Sequence, residues 1–135
     1  MSTPKRESIL AALATRLGAV RNPYPADYDD EPLTTLLEGE ETVTDREYSD
    51  VLIILPVTVE KIDRYDEGSA RETVANELLA AVIASALGTD PTVGGLCDDI
   101  RYTGGSTLFS STGSALVAAV ARFDIIYRHA GGSPY

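Results

Sequence analysis

The run YSDVLIILPVTVEKI, residues 48 to 62, dictates the architecture more than any other part of the chain. It is β-branched and apolar, and it lacks the three-to-four-residue spacing of a helix, so it reads as a strand. Val51, Ile53, Leu55, Val57 and Val59 alternate onto one face, which must therefore meet a core. Leu52 and Ile54 fall on the other face, which turns polar at Thr58 and Glu60. Pro56 has no amide hydrogen for a ladder, so the strand is expected to lie at a sheet edge there or to carry a bulge.

The rest of the chain supplies partners for that strand. Thr3-Pro4 resembles a helix start, with Thr as N-cap and Pro at the first helical position. Ile9, Leu10, Leu13, Leu17 and Val20 recur at helical spacing, with Gly18 as a stop, which predicts a helix over 5 to 19. The proline-rich acidic stretch NPYPADYDDEP, 22 to 32, reads as an irregular loop, and short extended pieces fit between Leu33 and Val43. SARE at 69 to 72 has the form of a capping box, Ser69 as N-cap and Glu72 reaching back. The helix it opens runs to about Leu87, with Val74, Leu78, Val82 and Ala86 as a ridge and Leu79, Ile83 and Leu87 beside it. Ala75, Ala80, Ala81 and Ala84 are expected to let it approach a sheet closely.

Asp98 to Thr103 predicts a strand, with Ile100 and Tyr102 on one face. GGSTLFSSTGS then reads as a flexible hairpin tip. In ALVAAVARFDIIYRH the residues Val117, Ala119, Ala121, Phe123, Ile125 and Tyr127 alternate cleanly, so the alanine-rich run is a strand and the natural hairpin partner of 98 to 103. Its second face is apolar at Leu116, Ala118 and Val120, then charged at Arg122, Asp124 and Arg128. The order helix, strands, helix, strand, strand gives a single α+β domain over residues 1 to 135, a mostly antiparallel sheet with two main helices on one face. The segment from 129 onward is expected to be a mobile tail.

Charge and composition narrow the functions. Eleven basic against 21 acidic residues give a net charge of −10, and no Lys/Arg cluster exceeds the pair at 5 and 6. Such a chain repels a phosphate backbone, which disfavours sequence-specific nucleic-acid binding but suits a surface past which DNA slides. No apolar run is long enough for a bilayer-spanning helix, and the first residues lack a signal-peptide core, so the protein is expected to be cytosolic as made. Cys97 is the only cysteine, which rules out an intrachain disulfide and fits a reducing compartment.

A search for chemistry finds no constellation. His129 is the only histidine, and it ends a strand beside a glycine-rich tail, with no orienting partner in sequence. Cys97 precedes Asp98 and Asp99, whose charges raise a thiol pKa. The two aspartates point to opposite sides of a strand and cannot share one ion. The acidic groups at 27 to 31, 38 to 41 and 63 to 68 lack calcium-loop spacing. No phosphate-loop, dinucleotide or nucleophile-elbow pattern occurs. No catalytic, cofactor-binding or metal residue is therefore assigned. The Gly-Gly steps in TVGGLCDDIRYTGG read as conformational, one at a helix-to-strand turn and one loosening a hairpin tip.

Apolar surplus is what stands out. Two helices on one side of a sheet leave Leu52, Ile54, Leu116, Ala118 and Val120 uncovered, and the tip presents Thr107, Leu108 and Phe109 as a core contact or a docking knob. Tyr24 and Tyr28 pose the same choice. A weakly guarded edge strand points to association as well. Leu52, Ile54, Thr107, Leu108, Phe109, Leu116, Ala118 and Val120 form the candidate protein interface, and the expected first partner is another copy of the chain.

Most of the chain, through its RESILAALATRLGAV helix, the passage ANELLAAVIASALGTDPTVGGLCDDIRYTGG and the closing ARFDIIYRHAGGSPY, resembles the tail terminator proteins of long-tailed bacteriophages. The acidic loop at 22 to 32 has no counterpart in that resemblance. It implies a small non-enzymatic α+β subunit without cofactor that forms a ring, typically of six, on the tail tube. Such a ring halts tube polymerisation and offers a platform for head joining. The implied partners are the tail tube protein and a head-completion protein, DNA would pass through the ring, and the location would be the host bacterial cytoplasm during assembly and then the virion tail. Three alternatives stay open at this point: a head-tail connector or neck protein, a small-molecule-binding or enzymatic domain in which Asp98, Asp99, Arg101 and His129 converge, and a protein-binding regulatory partner.

Overall fold

The computed structural model describes residues 3–22, 33–47, 50–65, 70–88, 90–109 and 116–135, leaving aside the side chains of 45–47. Ser69, the loop at 23–32 with Tyr24 and Tyr28, and 110–115 lie outside the described residues. Among those described are two helices and six strands: α1 (Lys5–Leu17), β1 (Val20–Arg21), β2 (Leu33–Glu38), β3 (Thr42–Glu47), β4 (Asp50–Arg64), α2 (Arg71–Leu87), β5 (Asp99–Phe109) and β6 (Leu116–Ala130). They form one sheet in the order β1-β2-β4-β6-β5, with β3 also paired to β4. Every pairing is antiparallel except the two-residue β1–β2 match. The architecture is the expected α+β domain with both helices on one face.

β4 and β6 pair over their full lengths, from Asp50↔Ala130 to Arg64↔Leu116. Their alternating sets coincide: Ile53, Leu55, Val57 and Val59 are buried, as are Val117, Ala119, Ala121, Phe123, Ile125 and Tyr127. Onto this face α1 brings Ile9, Leu10, Leu13 and Ala14, and α2 brings Ala75, Leu78, Val82 and Ala86. Ala80, Ala81 and Ala84, expected to ease packing, are exposed instead; only Ala75 of that set meets the sheet. Removing from water the apolar surface of a side chain such as Phe123 or Leu55 contributes about 1.5–3 kcal/mol each, which is what holds the two layers together.

Pro56 is not at an edge. β4 is central, and its other neighbour is split in two: β2 pairs with residues 57 to 62 and β3 with 50 to 54. Pro56 faces the break between them, where Gly39 donates its amide to the Pro56 carbonyl at 2.8 Å. In an antiparallel strand a residue's amide and carbonyl point the same way, so the hydrogen that proline lacks would have pointed into that gap. Among the described residues the open lateral edges are β5 on one side and β1 and β3 on the other.

Helix ends also differ from expectation. Pro4 is itself the N-cap of α1, with no side-chain cap, and the Lys5 amide donates instead to the Pro134 carbonyl at 2.8 Å. The segment expected as a mobile tail is thus placed: β6 runs through Ala130, Ser133 donates back to the Ala130 carbonyl, and Pro134 closes on α1. Lys5 Nζ adds a bond to the Arg128 carbonyl at 2.5 Å. At the other end of α1, Gly18 takes the left-handed conformation, φ 64°, and Ala19 donates to the Ala14 carbonyl. Helix α2 begins after Ala70, and Glu72 bonds its own amide and Arg71. Its C-terminal carbonyls are met by Arg16, whose Nη1 donates to Ala86, Leu87 and Asp90 at 3.2, 3.5 and 2.8 Å. A cation there also opposes the negative end of the helix dipole.

Candidate functional site

The face of the sheet away from the helices is laid out by the registers. One row runs Asp99, Ile126, Ile54, Thr42; the next runs Arg101, Asp124, Pro56; then come Gly104, Arg122, Thr58, Leu37, and finally Leu108, Ala118, Ile62, Leu33. Leu52, Ile54, Leu116, Ala118 and Val120 all lie on this face, as expected, but each is half-buried rather than open. Neighbouring side chains on a twisted sheet shield one another, which a residue-by-residue reading of the sequence leaves out. Thr35 is the exception on this face: it is 1% exposed, and its hydroxyl has no partner among the described residues.

The strongest exposure is at the far end of β5. The GGSTLF segment, expected as a flexible tip, is strand, and β5 continues through it after a bulge between Tyr102 and Gly104. Gly105 is required there: a Cβ would stand 2.6 Å from the Tyr102 hydroxyl, 2.9 Å from the Val120 carbonyl and 3.1 Å from Leu79. Leu108 and Phe109, grouped as one knob from sequence, point to opposite faces. Leu108, 51% exposed, lies over a shallow apolar depression lined also by Ile62, Leu116 and Ala118 on the helix-free face. Phe109, 38% exposed, turns to the helix side, where Arg71 of α2 sits 5.0 Å above its ring. Thr107 pairs with Ala119 and is half-buried on the helix side.

The turn that carries Cys97 is held by its own hydrogen bonds. Asp90 accepts from the Thr92 hydroxyl at 2.5 Å and from the amides of Thr92 and Gly94, and these bonds hold its carboxyl below the usual range. Val93, Gly94 and Gly95 all adopt positive φ, the backbone the Gly-Gly step allows. Cys97 is buried and donates to the Pro91 carbonyl. Burial, together with the charge of Asp98, pushes its thiol up to about 11, so it is not a thiolate near neutral pH.

The four titratable groups that an enzymatic reading would gather do not converge on one site. Asp98 pairs with Arg128 at 2.9 Å and Asp99 with Arg101 at 3.1 Å, near the end of the helix-free face. His129 falls on the other face by alternation, beside Tyr127, and its Nδ1 lies 2.8 Å from the Ala130 carbonyl. No group of three His, Cys, Asp or Glu that could hold a metal ion occurs among the described residues. No described helix is long and apolar enough to cross a membrane.

One polar network escaped the sequence reading because its members are far apart in the chain. Arg6 bonds Glu41 at 2.5 Å and approaches Glu38 at 3.6 Å, while Arg21 joins Glu7 at 2.6 Å and Glu38 at 3.3 Å. Asn22 bonds Glu38 as well, and the Tyr127 hydroxyl reaches Glu41 at 3.4 Å. The Arg21 hydrogen bond holds the Glu7 carboxyl below its ordinary range. Burial, then the Glu41 charge, pushes the Tyr127 phenol up to about 12. Two guanidiniums are shared among three carboxylates, and the network pins α1 to β1 and the β2–β3 break. Only the i, i+3 placement of Glu38 and Glu41 hinted at it. Fold and site together define an α+β domain whose helix-free sheet face mixes apolar with charged residues and whose lateral edges, among the described residues, are β5 on one side and β1 and β3 on the other. Comparison with protein-family models gives no match, and neither does comparison with curated proteins.

Proposed function

We propose that the chain is a non-enzymatic structural subunit of a phage or prophage tail, forming a terminator ring of six on the tail tube. In this role it stops tube polymerisation and presents the surface to which the head joins. The single observation that supports this most is a sheet that, among the described residues, has helices on one face only, with Leu52, Ile54, Leu116, Ala118 and Val120 on the other and no strand paired beyond β5, β1 or β3. A ring needs two different surfaces on each subunit, and a sheet with two open edges offers them. The negative charge suits a lumen that DNA crosses without adhering.

The separation of His129 from Asp98, Asp99 and Arg101 gives the small-molecule or enzymatic reading less support. A head-tail connector would use the same surfaces, so assembly decides between the two. Purified protein mixed with tail tubes of the same genome is expected to bind tube ends, seen by negative-stain microscopy as a single added ring of about six subunits. Binding to portal rings instead of tubes would favour the connector. Failure to bind either would refute both.

A further inference from the structure

We propose that residues 104–109 of β5 form a hinged strap, and that its opening frees the edge of β6 between Val117 and Ala121 for hydrogen bonding. This opening goes beyond the ring reading and does not depend on it.

The two halves of β5 are anchored differently. Before the bulge, Asp99 to Tyr102 pair with Ile126 to Phe123, and Ile100, 3% exposed, enters the core. Beyond the bulge, Gly104 to Phe109 pair with Arg122 to Val117 and bury no side chain: Gly104 and Thr107 are half-buried and the other four residues are exposed. Buried apolar surface is what makes a strand costly to detach, so the second half opens at a lower free energy than the first. It is also bonded on one side only, since among the described residues no strand lies beyond β5. Gly104 and Gly105 gain more backbone freedom on opening than residues with side chains would.

The hinge is at Thr103, whose hydroxyl donates to the Arg122 carbonyl at 3.1 Å where the bulge already interrupts the ladder. Closure rests on contacts at the surface. The Tyr102 hydroxyl lies over Gly105, Arg71 sits 5.0 Å above the Phe109 ring, and Leu108 rests beside Ile62, Leu116 and Ala118. Tyr102, Leu108 and Phe109 are all substantially exposed. β6 is held independently of the strap. Val117 and Ala119 pack with Ala75 and Leu78 of α2, and β6 pairs with β4 along its whole length. Opening therefore leaves β6 in place and uncovers only the amides and carbonyls that faced β5. In an antiparallel strand these belong to alternate residues, while the residues between them stay bonded to the other neighbour.

Amide hydrogen exchange on the full chain, resolved by residue in NMR, tests this. Within 117 to 121, amides facing β5 are expected to exchange about 100-fold faster than those facing β4. From 123 to 125 the amides on both sides should be protected alike. A Cβ at Gly104 meets only Arg122 Nη1, at 3.9 Å, and its φ is not positive, so Gly104→Val fits the closed form. By restricting the open form it should slow the fast set about fivefold. Phe109→Ala removes the contact with Arg71 and should speed the same set about threefold. Neither should change the amides that face β4. Circular dichroism checks folding, and Gly104→Ala replaces the valine variant if that one does not fold. Equal rates on the two sides of β6 within 117 to 121, or a fast set that either substitution leaves unmoved, overturns the strap.

Discussion

Gly39→Ala probes the way a central strand accommodates its proline. A methyl group at Gly39 would stand 2.8 Å from the Pro56 carbonyl oxygen and 2.9 Å from its Cγ. Carbon and oxygen ordinarily approach to about 3.3 Å, so the overlap is about half an ångström. Neither atom is the loose end of a side chain: one is backbone of β4 and the other belongs to a ring fused to that backbone. Relief requires the β2–β3 connection to move away, which also stretches the 2.8 Å bond from the Gly39 amide to Pro56. Overpacking of about 1–3 kcal/mol and a lost hydrogen bond of about 0.5–1.5 kcal/mol together predict about 2–4 kcal/mol of destabilisation. In urea this lowers the midpoint by about 1–2 M without changing the slope. Pro56→Ala in the same chain removes the ring contact and should recover part of the loss. A Gly39→Ala variant within about 0.5 kcal/mol of the parent would refute the close approach.

Three further outcomes follow from the packing. Arg16→Met strips the cation from the α2 carbonyls and is expected to cost about 1 kcal/mol, lowering the melting temperature by about 3–6 °C in calorimetry; an unchanged transition would mean water serves those carbonyls as well. Cys97 should react slowly with a disulfide reagent at pH 8 and rapidly once urea unfolds the chain, and fast labelling of folded protein would contradict its burial. Tyr127 has its phenol raised from 10.0 to about 12, so folding favours the neutral form. Its contribution is complete below about pH 10 and is lost as pH rises through about 12, which Tyr127→Phe should abolish in alkaline unfolding curves followed at 295 nm.

Much of the architecture was legible in the sequence because burial on one face imposes a period. The alternations in 51 to 59 and 117 to 127 located the two central strands and their core face, and the ridge of α2 was right at Leu78, Val82 and Ala86. Where no period operates, sequence reasoning failed. The second half of β5 is an edge, exposed on much of both sides, and its glycines answer to neighbours: Gly105 lies under Tyr102, and Gly104 lies beside Arg122. Only Gly105 is demanded by those neighbours, since a Cβ at Gly104 would make an ordinary contact, and locally both read as a loose tip. Pro56 was placed at an edge because the rule for a proline concerns the missing hydrogen bond, and only topology reveals a gap within a central strand's neighbour. The candidate interface was legible as a face, since alternation assigns faces. Its exposure was not, because shielding is a property of adjacent strands.

The first turn of α1 is closed by the carbonyl of Pro134. On the ribosome, this helix lacks that acceptor until more than a hundred further residues have been added. Its apolar stripe must likewise wait for Phe123 and Ile125 to arrive on β6. Residues 5–17 therefore stay undocked until β6 has been made, and the layer they complete forms only once residues 117–134 fold back against them.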